Sequence, residues 1–249
     1  VSLNDVWVRE LTGDGPWTVL NPAGPRPAPR WDHTAVMDDA RHRMIVFGGA
    51  GATGYNDAWA LSLGSVPTWS LVEPVGTPPP ARDGQVAVYD PVGDRMVVFG
   101  GTGASFPQEI FSDTWALSFT PGPSWTKLAP AGSPPSPRFG MAAAFDSKRQ
   151  RMLVFGGLPI SGGGELWSLS LSGVPTWTQV IVPNSPPARA FSSAVYDPAG
   201  DRLIVFGGLS DSPGEGNAAW ALALAGVPAW TRLSPAGGMP AQRLGFGGV

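Results

Sequence analysis

The chain has 249 residues, 43% of them apolar, and a formal net charge of −3, so it can bury a sizeable core but offers no basic face for nucleic acid. It contains no cysteine, which excludes disulfides, thiolate nucleophiles and cysteine-ligated metals. With 34 Gly, 28 Pro and 11 Trp, the composition predicts many turns and little helix, and no apolar run approaches the roughly eighteen residues of a membrane span.

The opening "VSLNDVW" has neither a basic start nor a long apolar stretch, so no secretory leader is read there. Residues 1–20, which close on "WTVL", supply two strand-like segments. Residues 30–72 then supply four: "HTAVMD", "RMIVFGG", "DAWALSL" and "TWSLV". They are rich in β-branched and aromatic residues. The turns between them are "DDARH", "GAGATGYN" and "GSVP", and a Pro-rich link "PVGTPPPAR" follows. The same four segments recur over 82–128, 138–180 and 189–233. Last comes "RLGFGGV" at 243–249, which aligns with "RWDHTAV" at 30–36 and reads as another first strand.

Several markers share the period. The Gly pairs begin at Gly48, Gly100, Gly156 and Gly207, at steps of 52, 56 and 51. Two tryptophan series follow them, Trp59, Trp115, Trp167, Trp220 and Trp69, Trp125, Trp177, Trp230, with Trp7 and Trp17 as earlier members. An arginine leads each unit: Arg30, Arg82, Arg138, Arg189 and Arg243. The second strand of each unit is apolar at nearly every position, as strands covered on both faces are. Four short strands repeated at this period predict propeller blades packed face to face.

An apolar run ending in Gly-Gly, followed by two spaced tryptophans and the "ND-x-W" spellings at Asn4 to Trp7 and Asn56 to Trp59, resembles the kelch repeat over nearly the whole chain. The resemblance implies an all-β, kelch-type β-propeller over 1–249, with four complete blades at 30–72, 82–128, 138–180 and 189–233. A fifth, incomplete blade would take strands three and four from 1–20 and strand one from 243–249. Its second strand has no counterpart in the sequence. The chain therefore reads as a five-bladed ring with one short blade, as a segment of a larger propeller, or as an engineered or evolved fragment that pairs in trans through its open edge.

The resemblance places Arg30, Arg82, Arg138, Arg189 and Arg243 in a ring at the channel mouth. Guanidinium donors there would suit a carboxylate ligand, or would pair with the acids that recur at Asp5, Asp57, Asp113 and Glu165. Ala218 breaks that acid series. The second arginine series, Arg43, Arg95, Arg151 and Arg202, faces Asp38, Asp90, Asp146 and Asp197 across a hairpin and reads as turn electrostatics. Binding chemistry is sought where the blades differ. After the leading arginine stand Trp31, Asp83 and Phe139. Two positions further are His33, Gln85, Met141 and Ser192. The second unit's long loop holds Phe106, Glu109 and Phe111, an expected contact patch.

No catalytic set or cofactor is expected. The Gly pairs lack the Lys-Ser/Thr end of a phosphate loop, and HExxH is absent. The copper oxidases of kelch type need a Cys–Tyr cofactor. The iron motif E-x-x-x-D-x-x-x-H of kelch specifier proteins is met at Glu109 and Asp113 but has Leu117 in place of histidine. The reading is a non-catalytic scaffold that binds a protein or glycan ligand on the loop face around the channel mouth, with no nucleic acid and no membrane as partner. The alternatives are a self-assembling unit that associates through the incomplete blade, and a kelch enzyme of the sugar-isomerase or lyase type. The Lys-poor, Pro/Gly/Trp-rich character suggests an extracellular or periplasmic bacterial protein.

Overall fold

The computed structural model describes residues 3–10, 12, 15–103, 108–159, 164–238 and 240–245. Each of the four predicted units forms one antiparallel four-stranded sheet, its strands paired in sequence order. The first blade is Thr34–Asp38, Arg43–Phe47, Ala58–Ser62 and Thr68–Val72, and the second Val86–Asp90, Arg95–Phe99, Thr114–Ser118 and Ser124–Leu128. The third is Ala142–Asp146, Arg151–Phe155, Leu166–Ser170 and Thr176–Val180, and the fourth Ser193–Asp197, Arg202–Phe206, Ala219–Ala223 and Ala229–Leu233. Val6–Val8 and Thr18–Leu20 pair as a separate two-stranded sheet. The blades are arranged as a β-propeller, with their first strands side by side around a central channel.

Packing between blades follows from the uniformly apolar second strands. Along each, alternate side chains face opposite ways. Ile45 and Phe47 pack forward against Met96, Val98 and Trp125. Val97 and Phe99 pack against Met152, Val154 and Trp177, and Leu153 and Phe155 against Leu203, Val205 and Trp230. In every case the fourth-strand tryptophan meets the second-strand phenylalanine of the preceding blade. The ring centroids are 4.9 Å apart for Phe47–Trp125, 4.7 Å for Phe99–Trp177 and 5.5 Å for Phe155–Trp230. Val6 and Leu20 of the two-stranded sheet pack the same way against Val46, Leu61 and Trp69 of the first blade.

The far side of the fourth blade is more open. Ile204 and Phe206 are half-buried where their counterparts Val97 and Phe99 are fully enclosed. Among the described residues no further four-stranded sheet stacks there, and most of the expected first strand at 243–249 lies outside the described residues. Trp7 and Trp17, members of the two tryptophan series, are correspondingly exposed.

The end of the channel opposite the mouth is tied by charge. In each blade the second-strand arginine donates Nε–H to the first-strand aspartate at 2.8 to 2.9 Å, the predicted hairpin pairing. Arg41 also makes a two-pronged bond to Asp94 of the second blade, and Arg149 one to Asp201 of the fourth. Arg41 holds the Asp94 carboxyl well below its ordinary range. The second and third blades carry Gly93 and Gln150 at the matching positions and are joined instead by Arg95 donating to the Leu171 carbonyl at 3.0 Å.

Replacing Trp177, which is 3% exposed, by alanine should lower the unfolding free energy by about 3–5 kcal/mol in urea titrations. Trp17→Ala, at a site 61% exposed, should change it by about 0.5 kcal/mol or less.

Candidate functional site

The leading arginines were expected at the mouth, and the backbone does bring them there, but their side chains turn into the blades. Arg82 and Arg189 are 0% exposed, and Arg30 and Arg138 are 6%. Arg82 shows the arrangement. Its Nε donates to the Pro80 carbonyl at 3.2 Å, Nη1 to the Gly100 carbonyl at 2.8 Å, and both Nη atoms to Asp113 at 2.7 and 3.2 Å. Arg30 pairs with Asp57 and Gly48, and Arg138 with Glu165 and Gly156, in the same way. Burial raises the Asp57 and Asp113 carboxyls, yet hydrogen bonds from Arg30 and Trp59, and from Arg82 and Trp115, outweigh it and hold both below the ordinary range.

Where Ala218 interrupts the acid series, Glu215 reaches Arg189 at 3.1 Å from the loop three residues earlier. A buried guanidinium must satisfy its donors, and these four do so inside their own blades. They are thereby withdrawn from any ligand. Arg243 is the exception: it is exposed, and its Nε donates to the Ala241 carbonyl.

The long loop of the second blade also differs from expectation. Phe111 is 7% exposed, not part of an open patch, because its ring lies 4.2 Å from the Arg82 guanidinium and caps it. Tyr55 caps Arg30 likewise at 4.4 Å. Glu109 is exposed, and its carbonyl accepts from Thr102 and Gly103. Phe106 lies outside the described residues.

Two positions after each arginine the chain forms a collar. Gly84 N–H donates to the Asp32 carbonyl (3.0 Å), Gly140 to Gly84 (2.7 Å), Phe191 to Gly140 (2.6 Å) and Gly245 to Phe191 (3.0 Å). All five residues have positive φ: +51° at Asp32, +61° at Gly84, +65° at Gly140, +55° at Phe191 and +62° at Gly245. Glycine adopts this backbone freely, whereas Asp, and above all Phe, do so at a cost. Only Asp32 and Phe191 therefore place side chains on the collar. A Cβ added at Gly245 would stand 3.9 Å from Asp32 Oδ1, which brings the last collar residue beside the first.

The collar opens a cavity of about 420 Å³ along the channel. It is lined from one side by Asp32, His33 and Gln85, from the other by Met141, Phe191 and Ser192, with Ala35, Ala87, Ala143 and Ala194 deeper in. Trp31 stands exposed beside it, and Phe139 is half-buried and edge-on to Phe191, with ring centroids 6.1 Å apart.

The electrostatics of this mouth are those of carboxylates without partners. Burial raises the Asp32 carboxyl, while burial and the charge of Asp32 push Asp83 up to about 6. Desolvation, then the charge of Arg30, lowers the His33 imidazole, so His33 is neutral at pH 7. Among the described residues no group of three acids or histidines could hold a metal ion, and no helix is long and apolar enough to cross a membrane. The sequence singled out Trp31, His33, Asp83 and Phe139, and the fold brings them to one end of the channel. It missed Phe191. The readable signal was the series Asp32, Gly84, Gly140, Phe191, Gly245, in which two bulky residues interrupt three glycines.

Residues 1–157 and 107–249 match the family described as the KLHDC2/KLHL20/DRC7 Kelch-repeats domain. An F-box/kelch-repeat protein of Arabidopsis thaliana is 30% identical over 243 residues, covering 84% of this chain and 50% of that protein. Adagio protein 3 of the same plant is 34% identical over 225 residues, covering 83% of this chain and 34% of that protein. The chain thus spans half or less of these relatives. The solved structure of YjhT superposes with a TM-score of 0.63 at 18% identity, over 91% of this chain and 69% of that one, a likeness of fold.

Arg82→Ala should cost about 3–5 kcal/mol in urea unfolding, since it strands the Asp113 carboxylate, while Arg243→Ala should cost about 0.5 kcal/mol or less. The Asp83 carboxyl should titrate near pH 6 by NMR, and lower in Asp32→Asn. A carboxyl raised in the folded state favours folding below the unfolded pKa, about 3.9, and loses that contribution as pH rises through 6. Asp83→Asn should therefore stabilise the protein more at pH 7.5 than at pH 4.5.

Proposed function

The chain belongs to the kelch-repeat family, and from that premise we propose that it is a non-catalytic protein-binding module whose contact surface is the channel-mouth face. One observation carries this reading. The charges that repeat in every blade are consumed inside the blades, whereas the side chains that differ between blades gather at the mouth. Arg30, Arg82, Arg138 and Arg189 are spent on Asp57, Asp113, Glu165 and Glu215. Asp32 and Phe191 line one opening, with Trp31 next in the chain to Asp32, Asp83 within reach of the Asp32 charge and Phe139 edge-on to Phe191.

An exposed aromatic beside a concave, partly charged opening is the makeup of an interaction hot spot. Trp31 is 48% exposed and is held at the rim by backbone hydrogen bonds to Ala50 in both directions, at 2.8 and 2.9 Å. Its backbone is therefore fixed before binding, and its ring offers apolar area at the rim. At the opposite end of the channel a second cavity of about 420 Å³ is lined by Met37, Tyr89 and Phe145, but there Arg41 and Asp94 are paired with each other across the first two blades.

Immobilised wild-type chain should capture a protein partner from extracts of the source cells. Trp31→Ala/Phe139→Ala should weaken binding of the purified partner at least tenfold. Val92→Ser, an exposed change in a turn at the far end of the channel, should leave binding as it is. Unchanged binding by the mouth variant, with both variants melting within a few degrees of wild type, overturns the assignment of the mouth as the contact face.

A further inference from the structure

We infer that the channel mouth receives a single cationic hydrogen-bond donor on an apolar stem, the ammonium or guanidinium end of a basic side chain from the bound protein. The inference rests on the reading of the mouth as a protein-binding face and names what that face recognises.

The argument begins with what the mouth leaves unmet. Neither the Asp32 nor the Asp83 side chain has a hydrogen bond or ion pair among the described residues, and the two carboxyls repel each other. The nearest repeated cations, Arg30 and Arg82, are turned away and already paired with Asp57 and Asp113. Beside the carboxyls stands Gln85, which is 5% exposed. Its amide nitrogen is committed to the Phe47 carbonyl at 2.9 Å, and its Oε1 is buried without a partner. Across the cavity Ser192, 6% exposed, has a hydroxyl oxygen in the same condition.

Two carboxylates and an amide oxygen can only accept hydrogen bonds. A buried acceptor without a donor costs roughly 1–3 kcal/mol, a cost removed once the Gln85 amide turns its oxygen toward a donor in the cavity it lines. What fits is therefore a donor, and the local charge requires a positive one. Anions are repelled. A neutral polyol could satisfy the acceptors but would leave two like charges facing each other.

The remaining walls suit the rest of such a side chain. Phe191 lines the cavity with Phe139 edge-on behind it, and an aromatic face attracts a cation. Met141 and the alanines Ala35, Ala87, Ala143 and Ala194 provide an apolar lining for a methylene stem. A volume of about 420 Å³ admits one long side chain and no folded element. The strained backbone also has a use here. Asp32, at φ +51°, and Phe191, at +55°, are the two collar residues that are not glycine, and they supply the carboxylate and the aromatic wall.

The test is calorimetric titration of the full chain with four capped tripeptides, Ac-Gly-X-Gly-NH2, in which X is Arg, Lys, Gln or Glu. The Arg or Lys peptide should bind at least tenfold more tightly than the Gln peptide, and the Glu peptide more weakly still. Asp32→Asn/Asp83→Asn, which relieves repulsion and should fold at least as well as wild type, should erase the preference. Gln85→Leu should weaken the basic peptides several-fold. Equal binding of the Arg, Lys and Gln peptides, or a preference that survives the double substitution, overturns the inference. If Trp31→Ala/Phe139→Ala abolishes partner capture while the peptides do not discriminate, the inference fails and the protein-binding reading stands. If basic peptides bind selectively but partner capture ignores the mouth, the cation site stands and the protein-binding reading fails.

Discussion

The structure depends on one joint, repeated in every complete blade: a buried arginine that ties the start of the blade to the glycine pair ending its second strand. Arg82 binds at once the Pro80 carbonyl before it, the Gly100 carbonyl at the end of the second strand and Asp113 at the start of the third. Burying a guanidinium is tolerable only because nearly every donor is answered, and at Arg30 and Arg82 an aromatic ring closes the remaining side. The joint also reaches the next blade. The second glycine of each pair donates its N–H to the carbonyl of the following leading arginine, from Gly49 to Arg82 at 2.8 Å and from Gly101 and Gly157 to Arg138 and Arg189 at 2.9 Å. The glycines are required there because a Cβ on Gly156 would lie 2.2 Å from the Arg189 carbonyl oxygen. Joint and inter-blade contact are thus parts of a single device.

That device determines where function can reside. A charge repeated in every blade and neutralised in every blade is part of the scaffold. At the far end of the channel Arg41 on Asp94 and Arg149 on Asp201 bridge the first to the second and the third to the fourth blades, beside a cavity lined by Met37, Tyr89 and Phe145. At the mouth the electrostatic balance remains open, since Asp32 and Asp83 have no ion pair among the described residues. There the collar hydrogen bonds align five backbone positions, but the side chains they carry are one carboxylate, one phenyl ring and three hydrogens. A nearly symmetric frame thus carries an asymmetric surface, with the carboxylates Asp32 and Asp83 and the exposed Trp31 on the side of the first two blades and Phe139 and Phe191 on that of the third and fourth.

Much of this was legible in the sequence. The period, the four strands per blade and the both-sides burial of the second strand follow from local pattern, because each blade satisfies its own backbone hydrogen bonds and alternation alone decides which faces need covering. The pairing of Asp38, Asp90, Asp146 and Asp197 with the arginines five residues on was equally readable, since a short hairpin sets the cross-strand partner. The leading arginines recur at one position of every unit, and that much is in the sequence. Whether they faced a ligand or their own blade was not decided by spacing, because Arg30 and Asp57 lie 27 residues apart and meet only when two strands have folded between them. For the same reason Glu215 could replace the acid missing at Ala218, and Phe111, legible only as a loop aromatic, became the cap over Arg82.

The sequence by itself therefore determined the architecture, since strand periodicity, turn residues and blade-to-blade apolar contacts are encoded within each unit and its neighbour. Only the tertiary structure decided the character of the mouth. Asp32 and Asp83 stand 51 positions apart, and Phe139 and Phe191 stand 52 apart. Nothing local brings either pair together. Ring geometry does so, by placing the segments that follow the leading arginines of successive blades side by side, and the carboxyl repulsion, the unpartnered Gln85 oxygen and the aromatic wall exist only once the blades stand around a common axis.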